Sequence, residues 1–287
     1  MITKQTLKDS PLMRWTALSI VAFTMMAAYF MTDVMAPLKP LLEKELLWDS
    51  MEYGWFTSAY GWFNVFLLML IFGGLILDKF GIRFTGKIAT GLMVIGACMK
   101  YWAISHHFPE GAMVFGHKAS LTYAALGYAL FGVGAEVAGI TVTKIIVKWF
   151  KGKEMATAMG VQVALARVGT LTALSVSAPF ATLFITEDLS SRFAGHAASA
   201  SVLLGCVLLC IGFIAFFIYT FMDRKLDRQT DEQAEKEESE FSWKDVLTIL
   251  QNKGFWLIAI LCVLFYSCVF PFLKYATDLM VNKFHVD

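Results

Sequence analysis

The chain has 287 residues, of which 57% are hydrophobic and only 16% are charged, and its formal net charge at pH 7 is +1. A soluble domain carries about 25% charged residues, so this composition excludes an ordinary soluble protein. The near-neutral charge argues against a nucleic-acid partner. No metal-ligand spacing and no nucleophile–base pairing stand out, so we expect a non-enzyme without cofactor or metal.

Seven apolar stretches are long enough to cross a bilayer as helices, because about 20 helical residues span about 30 Å of hydrocarbon. No two-residue periodicity is present, so the sequence predicts an all-α membrane protein rather than a β-barrel. The predicted spans are 13–36, 54–77, 84–105, 120–148, 155–185, 196–222 and 255–280.

Lysine and arginine concentrate in alternate loops, and this bias sets the orientation of a membrane protein. Basic residues precede span one, fill the turn after span two, follow span four and crowd the segment between spans six and seven. The other loops hold few, and the stretch 185–195 contains only Arg192. We therefore expect a cytoplasmic N-terminus and an external end of span seven.

The longest connection, 223–240, is a charge run that predicts a solvated linker. Apolar residues at helical spacing within 241–250 predict a short interfacial helix after it. The predicted domains are a six-helix half at 1–222, a cytoplasmic linker at 223–252 and the first span of a second half at 253–287. Seven spans leave one helix without a counterpart, so we expect a chain truncated after its seventh transmembrane helix.

The turn after span two reads GGLILDKFGIR and fits the pattern G-x-x-x-D-[RK]-x-G-x-[RK]. Gly74 would allow two helices to approach closely, and Gly81 would allow a turn with positive φ. Asp78 could pair with basic groups when the cytoplasmic side is closed. The motif predicts a cytoplasmic gate, although a loop that only fixes the topology would carry similar charges. The matching residues are Gly74, Asp78, Lys79, Gly81 and Arg83.

This loop, placed between spans two and three, resembles the signature of the major facilitator superfamily, which implies a helical bundle with two halves. Many members carry R-x-x-x-G-x-G in span four. Here Gly132 and Gly134 fit, but Tyr128 stands where the arginine would be. Any role that the family gives to that arginine, such as proton coupling, is therefore not carried over to this chain.

Glu136 lies in ALFGVGAEVAGITVTK, with no charged residue within seven positions on either side. A lone carboxylate inside a span costs at least about 2.5 kcal/mol. Arg167 lies in the next span, and at 1.5 Å per residue both side chains are about 18 Å from the cytoplasmic boundary. The two residues either form a structural ion pair or hold a zwitterion, with its carboxylate on Arg167 and its ammonium on Glu136.

Four segments are similar to one branch of the superfamily, which includes a lysosomal dipeptide uniporter of animals. They are YFMTDVMAPL, GVGAE, VKWFKGKEMATAMGVQVALARVGT and FYSCVFPF. In that branch an acid of span four and an arginine of span five contact the termini of the peptide, and they match Glu136 and Arg167. The resemblance implies a dipeptide or amino-acid-like substrate. No acidic dileucine signal is present at the N-terminus, so we expect the inner membrane of a bacterium.

Other polar residues inside the spans allow two interpretations each. Asp33 lines the cavity or ends a helix, and Asn64 binds a neighbouring helix or a ligand. Lys274 faces the cavity or pairs with Asp278, four residues later. Lys100, near the external end of span three, is expected to extend to the interface.

The sequence thus predicts a secondary active or facilitative transporter of a small organic solute that works by alternating access in the lipid bilayer. A proton is one candidate coupling ion. A multi-pass receptor or signalling protein and a channel are the alternatives. The expected cytoplasmic N-terminus and the loop at 74–83 count against a receptor, and saturable flux with counter-flow would exclude a channel.

Overall fold

The computed structural model describes residues 7–109, 111–183, 196–229 and 248–285, and these residues are mostly helical. A 3-10 turn at Leu7–Asp9 precedes the first helix, and a hairpin of strands β1 (Met113–Val114) and β2 (His117–Lys118) lies in the loop before the fifth. The helices are α1 (Pro11–Asp33), α2 (Lys39–Glu45), α3 (Ser50–Phe66), α4 (Met69–Ser105), α5 (Ala119–Phe150), α6 (Met155–Thr182), α7 (Ala197–Asp227) and α8 (Lys253–Phe284).

Six of the described helices, α1 and α4 to α8, are long and apolar enough to cross a membrane. The all-α membrane fold predicted from the hydropathy is confirmed. The predicted span 54–77 is divided between two helices, because α3 ends at Phe66 and α4 begins at Met69. Leu68 between them has φ 51° and is left-handed. Without that break α3 and the part of α4 before Gly81 would form one continuous helix.

Helix α4 contains the turn that was predicted between spans two and three. Gly81 is its one residue with non-helical dihedral angles, φ 76° and ψ 173°. Gly73 and Ala89, each eight residues from Gly81, both pack against α5, at Val137 and Gly134 respectively. Because these contacts are one turn apart on α5, the chain reverses its direction at Gly81.

Helix α5 is the most enclosed of the described spans, and glycines allow its neighbours to approach it. A Cβ atom at Gly132 would lie 2.3 Å from the Tyr60 carbonyl oxygen of α3. A Cβ atom at Gly134 would lie 2.6 Å from the Ala89 carbonyl oxygen of α4. Any larger side chain would push these helices apart. The next polar residue, Glu136, is therefore held where α5 is tightly packed.

Helix α7 ends at Asp227, five residues beyond the predicted end of span six. Asp223 and Asp227 therefore belong to a packed helix and not to a flexible linker. Residues 230–247, with most of the predicted linker and of its interfacial helix, lie outside the described residues.

Helix α8 touches the other described helices only near its second half. Residues 253–268 are exposed apart from Ala259, whereas 273–278 are half-buried. This second half lies beside the end of α1, on the side that is external in the predicted orientation.

Candidate functional site

A cavity of about 520 Å³ lies between α1, α3, α5 and α8. This volume suits a small organic molecule, and ligand sites of this size use a few polar groups among apolar walls. Of the described residues in its wall, Glu136 and Lys274 carry charge. Within the described ranges, no group of three or more His, Cys, Asp or Glu side chains could hold a metal ion. The neutral polar side chains in the wall are Tyr29, Thr32, Thr57, Ser58, Tyr60, Tyr128 and Tyr275.

Glu136 is held in the cavity wall by a hydroxyl group and not by a cation. The Tyr60 hydroxyl of α3 donates to Glu136 Oε1 over 2.8 Å. A carboxylate can accept about four hydrogen bonds, so capacity remains for a ligand. Sequence reasoning missed Tyr60. The sequence feature that could have identified it is a tyrosine inside an apolar span, because a buried tyrosine hydroxyl usually forms a hydrogen bond.

Arg167 contacts a residue of the cavity wall. The guanidinium lies 5.4 Å from the ring centroid of Tyr29, which is itself a wall residue. Arg167 is exposed among the described residues. No salt bridge joins it to Glu136 in the described part of the chain, so the structural ion pair that the sequence allowed is not formed. Glu136 therefore lies in the cavity wall, and Arg167 lies beside the wall residue Tyr29.

Lys274 joins α8 to the end of α1. Its Nζ lies 2.8 Å from Asp33 Oδ1 and 2.6 Å from the Thr32 carbonyl oxygen. The Thr170 hydroxyl of α6 donates to Asp33 Oδ2 over 2.8 Å. The Lys274 and Asp33 side chains are only 12% and 8% exposed, so water screens the pair weakly. Lys274 therefore both faces the cavity and pairs, but its partner is Asp33 rather than Asp278.

A second ion pair follows one turn further along α8. Asp278 Oδ1 lies 2.7 Å from the Nζ of Lys39, at the start of α2. Glu43 Oε1 lies 2.6 Å from the same Nζ. Burial opposes the charge of Lys39, but hydrogen bonds to Asp278 and Glu43 outweigh it and raise the pKa of Lys39. The Tyr275 hydroxyl adds a hydrogen bond of 3.1 Å to the Ser50 carbonyl oxygen of α3.

Two of the expected polar residues lie outside the cavity wall. Asn64 Nδ2 donates to the Tyr60 carbonyl oxygen of its own helix over 3.4 Å, and its Oδ1 is buried without a partner among the described residues. Asp33 meets the cavity only through Lys274. Within the described part of the chain, Asn64 therefore neither lines the cavity nor forms a hydrogen bond to a neighbouring helix.

The expectation that Lys100 extends to the membrane interface is wrong. Its side chain is fully buried, and its Nζ donates to the Met31 carbonyl oxygen over 2.9 Å. The same Nζ lies 4.8 Å from the ring centroid of Tyr128. The last carbonyl groups of α1 have no intrahelical donor, and Lys100 of α4 supplies one to the Met31 carbonyl oxygen. This hydrogen bond explains why the lysine is buried.

The loop motif has the predicted geometry at one glycine and not at the other. Gly81 has the positive φ expected of a tight turn. At Gly74 a Cβ atom would meet nothing within 4 Å among the described residues, so the expected close approach is not found there. Gly73 makes it instead, since a Cβ atom at Gly73 would lie 2.5 Å from Val137 Cγ2.

The acidic residue of the motif forms an exposed ion pair. Asp78 Oδ1 lies 3.2 Å from Lys144 Nζ of α5, and the Asp78 side chain is 57% exposed. The neighbouring Lys79 ammonium lies 5.5 Å from the ring centroid of Phe80. The pair stabilises the turn only weakly, because an exposed ion pair contributes only about 0–1 kcal/mol to the stability of the fold.

Arg83, the last residue of the motif, belongs to a partly buried cluster that we term the inner charge cluster, with Lys148, Asp223 and Asp227. Arg83 Nη1 lies 2.6 Å from Asp227 Oδ2 and 3.5 Å from Asp223 Oδ2. Lys148 Nζ lies 3.1 Å from Asp223 Oδ1 and also pairs with Asp227. The Asp223 side chain is fully buried. The cluster ties α4, α5 and α7 together.

Comparison with known proteins assigns the family. The Major Facilitator Superfamily model matches residues 18–287. The lysosomal dipeptide transporter MFSD1 of Bos taurus is 25% identical over 276 residues, which cover 94% of this chain and 54% of the bovine protein. MFSD1 of Homo sapiens is 25% identical over 276 residues, covering 94% and 55%.

The chain spans about half the length of the curated relatives that it matches. No solved structure matches it significantly. The family model covers nearly the whole chain and agrees with the apolar helices of the fold. The chain is therefore a multi-pass integral membrane protein that belongs to the Major Facilitator Superfamily.

Proposed function

We propose that the protein carries a small zwitterion, a dipeptide or an amino-acid-like molecule, across the membrane by alternating access. The observation that carries this proposal is Glu136, a carboxylate deep in a membrane span that faces a cavity of about 520 Å³. It is held there by the Tyr60 hydroxyl and has no basic partner among the described residues. The printed name of the relatives, a dipeptide transporter, supports the substrate class.

The cavity offers opposite charges to the two ends of such a ligand. Glu136 would accept the ammonium group, and hydrogen bonds between charged groups are about twice as strong as neutral ones. Arg167 beside Tyr29 and Lys274 in the wall would attract the carboxylate. An exposed arginine inside a span costs at least about 2.5 kcal/mol, so Arg167 requires polar surroundings that water or a ligand would supply.

The contacts of α8 support a state that is closed externally. Lys274, Tyr275 and Asp278 bind the ends of α1, α2 and α3 on that side. The other half of α8, residues 253–268, is exposed among the described residues. In the proposed cycle α8 would leave these contacts when the external side opens. The proposed orientation places the N-terminus in the cytoplasm of a bacterium, which accessibility of terminal tags would check.

Binding of blocked ligands tests the two poles. We expect Glu136→Gln to lose at least about tenfold in affinity for a free dipeptide, since a hydrogen bond to a charged group contributes about 1.5–3 kcal/mol. Blocking the amine should weaken binding to the parent protein and matter little to Glu136→Gln. Glu154→Gln is the matched control, because Glu154 lies outside the cavity and is 53% exposed.

Arg167→Lys keeps the charge and loses the planar fork, so we expect weaker binding of the free carboxylate. Free and blocked ligands that bind the parent protein equally would overturn the proposal.

Flux in proteoliposomes distinguishes the function classes. Saturable flux with counter-flow supports a transporter, non-saturating flux would indicate a channel, and binding without flux would indicate a receptor.

A further inference from the structure

We propose that Lys274 is a switch that exchanges Asp33 for the carboxylate of the ligand, and that this exchange opens the external side. The inference rests on the proposed function and adds a coupling between ligand binding and gate opening. Two observations carry it: Lys274 belongs to the wall of the cavity, and it also forms the ion pair that ties α8 to α1.

The position that Lys274 occupies suits a cation. It lies at the end of α1, where the last carbonyl groups carry a partial negative charge and have no intrahelical donors. The Thr32 carbonyl oxygen and the Asp33 carboxylate both accept hydrogen bonds from its Nζ. We term this acceptor pair the cation seat.

The cation seat keeps other donors when Lys274 leaves. The Thr32 carbonyl oxygen still accepts from the Tyr128 hydroxyl, 2.8 Å away. Asp33 still accepts from the Thr170 hydroxyl. An acceptor that retains a partner avoids much of the cost of a buried unsatisfied group, about 1–3 kcal/mol. Both acceptors of the seat therefore keep a hydrogen bond when the cation departs, and the cost that remains is the uncompensated charge of Asp33.

A ligand carboxylate would reach Lys274 from the cavity. Arg167 lies beside the Tyr29 ring and is not a wall residue, whereas Lys274 is the described cation in the wall itself. The carboxylate and Asp33 then compete for one ammonium group. A ligand shifts a conformational equilibrium only by its differential affinity for the two states. Here the difference is the ion pair that the ligand makes after Lys274 has left Asp33.

The neighbouring pair of Lys39 and Asp278 provides a matched control. It also ties α8 to the external end of the first half, one turn beyond Lys274. Neither residue belongs to the cavity wall. A purely structural link would make the two pairs behave alike, whereas a switch would make only Lys274 sensitive to the carboxylate of the ligand.

The experiment uses the full-length protein and measures two quantities. The first is the affinity for a free dipeptide and for its C-terminal amide. The second is the rate at which a membrane-impermeant thiol reagent, added outside, modifies Thr57→Cys in a background whose native cysteines are replaced by serine or alanine. In the parent protein we expect the free dipeptide to raise this rate and the amide to leave it unchanged.

Lys274→Gln should remove the preference for the free carboxylate, a loss of at least about tenfold, and should leave the cysteine accessible without ligand. Asp33→Asn should bind the free dipeptide more tightly than the parent, because the competitor is gone. Asp278→Asn should raise the accessibility of the cysteine and keep the preference for the free carboxylate.

If Lys274→Gln does not fold because it strands Asp33, the double variant Asp33→Asn, Lys274→Gln measures the same preference for the free carboxylate.

A preference for the free dipeptide that survives in Lys274→Gln or in the double variant would overturn the switch, and so would weaker binding in Asp33→Asn. The loss of binding in Glu136→Gln would then still support the proposed function. A parent protein that binds no zwitterion would remove both proposals.

Discussion

The inner charge cluster and the two ion pairs on the proposed external side, which we term the external pairs, use the same kinds of side chain but connect different parts of the molecule. The inner charge cluster joins α4, α5 and α7, which all precede the predicted linker. The external pairs, Asp33 with Lys274 and Lys39 with Asp278, join α1 and α2 to α8, which follows it. The inner charge cluster links helices that precede the predicted linker, whereas the other pairs link helices on its two sides and would be released in the proposed cycle.

The two regions also differ in what remains after one partner is removed. Asp223 is fully buried, and without it Arg83 and Lys148 share Asp227. Lys39, in contrast, keeps Glu43 when Asp278 is absent. Two cations then depend on the same acid in the inner charge cluster, whereas Lys39 does not share Glu43 with Arg83 or Lys148, so we expect the loss of Asp223 to be less well compensated.

The largest expected effect comes from Asp223→Asn. Removing one partner of a buried ion pair costs up to about 3–5 kcal/mol. Because Arg83 and Lys148 keep Asp227, we expect the lower end of this range in thermal unfolding in detergent. Asp278→Asn should cost less, because Asp278 is 21% exposed and the buried Lys39 keeps Glu43. Equal losses in the two variants would contradict the comparison.

Gly81→Ala is expected to have the second-largest effect on stability. With φ 76° and ψ 173°, Gly81 occupies a region that is nearly restricted to glycine, and another residue there costs about 1–3 kcal/mol. The strain would also displace Arg83 from the inner charge cluster. Gly74→Ala is the control, since both positions have free space but Gly74 has no positive φ. Unfolding should show a stability equal to or above that of the parent for Gly74→Ala.

Asp78→Asn should affect transport more than stability. Its pair with Lys144 is exposed, so we expect flux to slow by up to about fivefold, the equivalent of about 1 kcal/mol, with ligand affinity within a few-fold of the parent. Parallel flux and binding measurements would check this. A collapse of ligand binding in well-folded Asp78→Asn would place the residue in the site instead of at a gate.

The smallest effect concerns His196, which precedes α7 at the external end of the first half and stacks on His107 with ring centroids 4.6 Å apart. Burial, and secondarily the nearby His107, lowers the pKa of His196. A lowered pKa means that the folded state favours neutral histidine. Stability is therefore complete above the ordinary value of about 6.5 and declines as the pH falls below it.

Thermal unfolding at pH 7.5 and pH 5, compared between the parent protein and His196→Gln, would check this. The variant should lose less stability on acidification than the parent. An identical pH response of both proteins would show that His196 does not contribute.

The fold was predictable because its signals are local. Span length and loop charge follow from composition, and the reversal at Gly81 follows from a glycine in a charged turn. The position of Glu136 in the cavity wall agrees with the sequence argument that an isolated carboxylate in a span requires polar surroundings, and its role as a ligand site stays a prediction. Each of these signals lies within a few neighbouring residues.

The partners of the buried cations were not predictable, because depth along a span says nothing about its angular orientation. In a soluble helix the apolar stripe reveals the inner face, but here lipid and core are both apolar. Lys100 was therefore expected at the interface and is instead buried against α1. Lys274 had an apparent partner four residues away, whereas its actual partner lies 241 positions earlier in the chain.

The break at Leu68 gives the second span the mechanics of a jointed lever. The arm before the joint, α3, lines the cavity and touches α8 through Ser50. The arm after it carries Asp78 and leads into the turn at Gly81. A stiff rod would transmit any tilt at one membrane face to the other, but a joint absorbs it. Because Leu68 interrupts the helix, α3 and the segment that leads into Gly81 can each keep their own angle where they pack on α5, at Gly132 and at Val137 respectively.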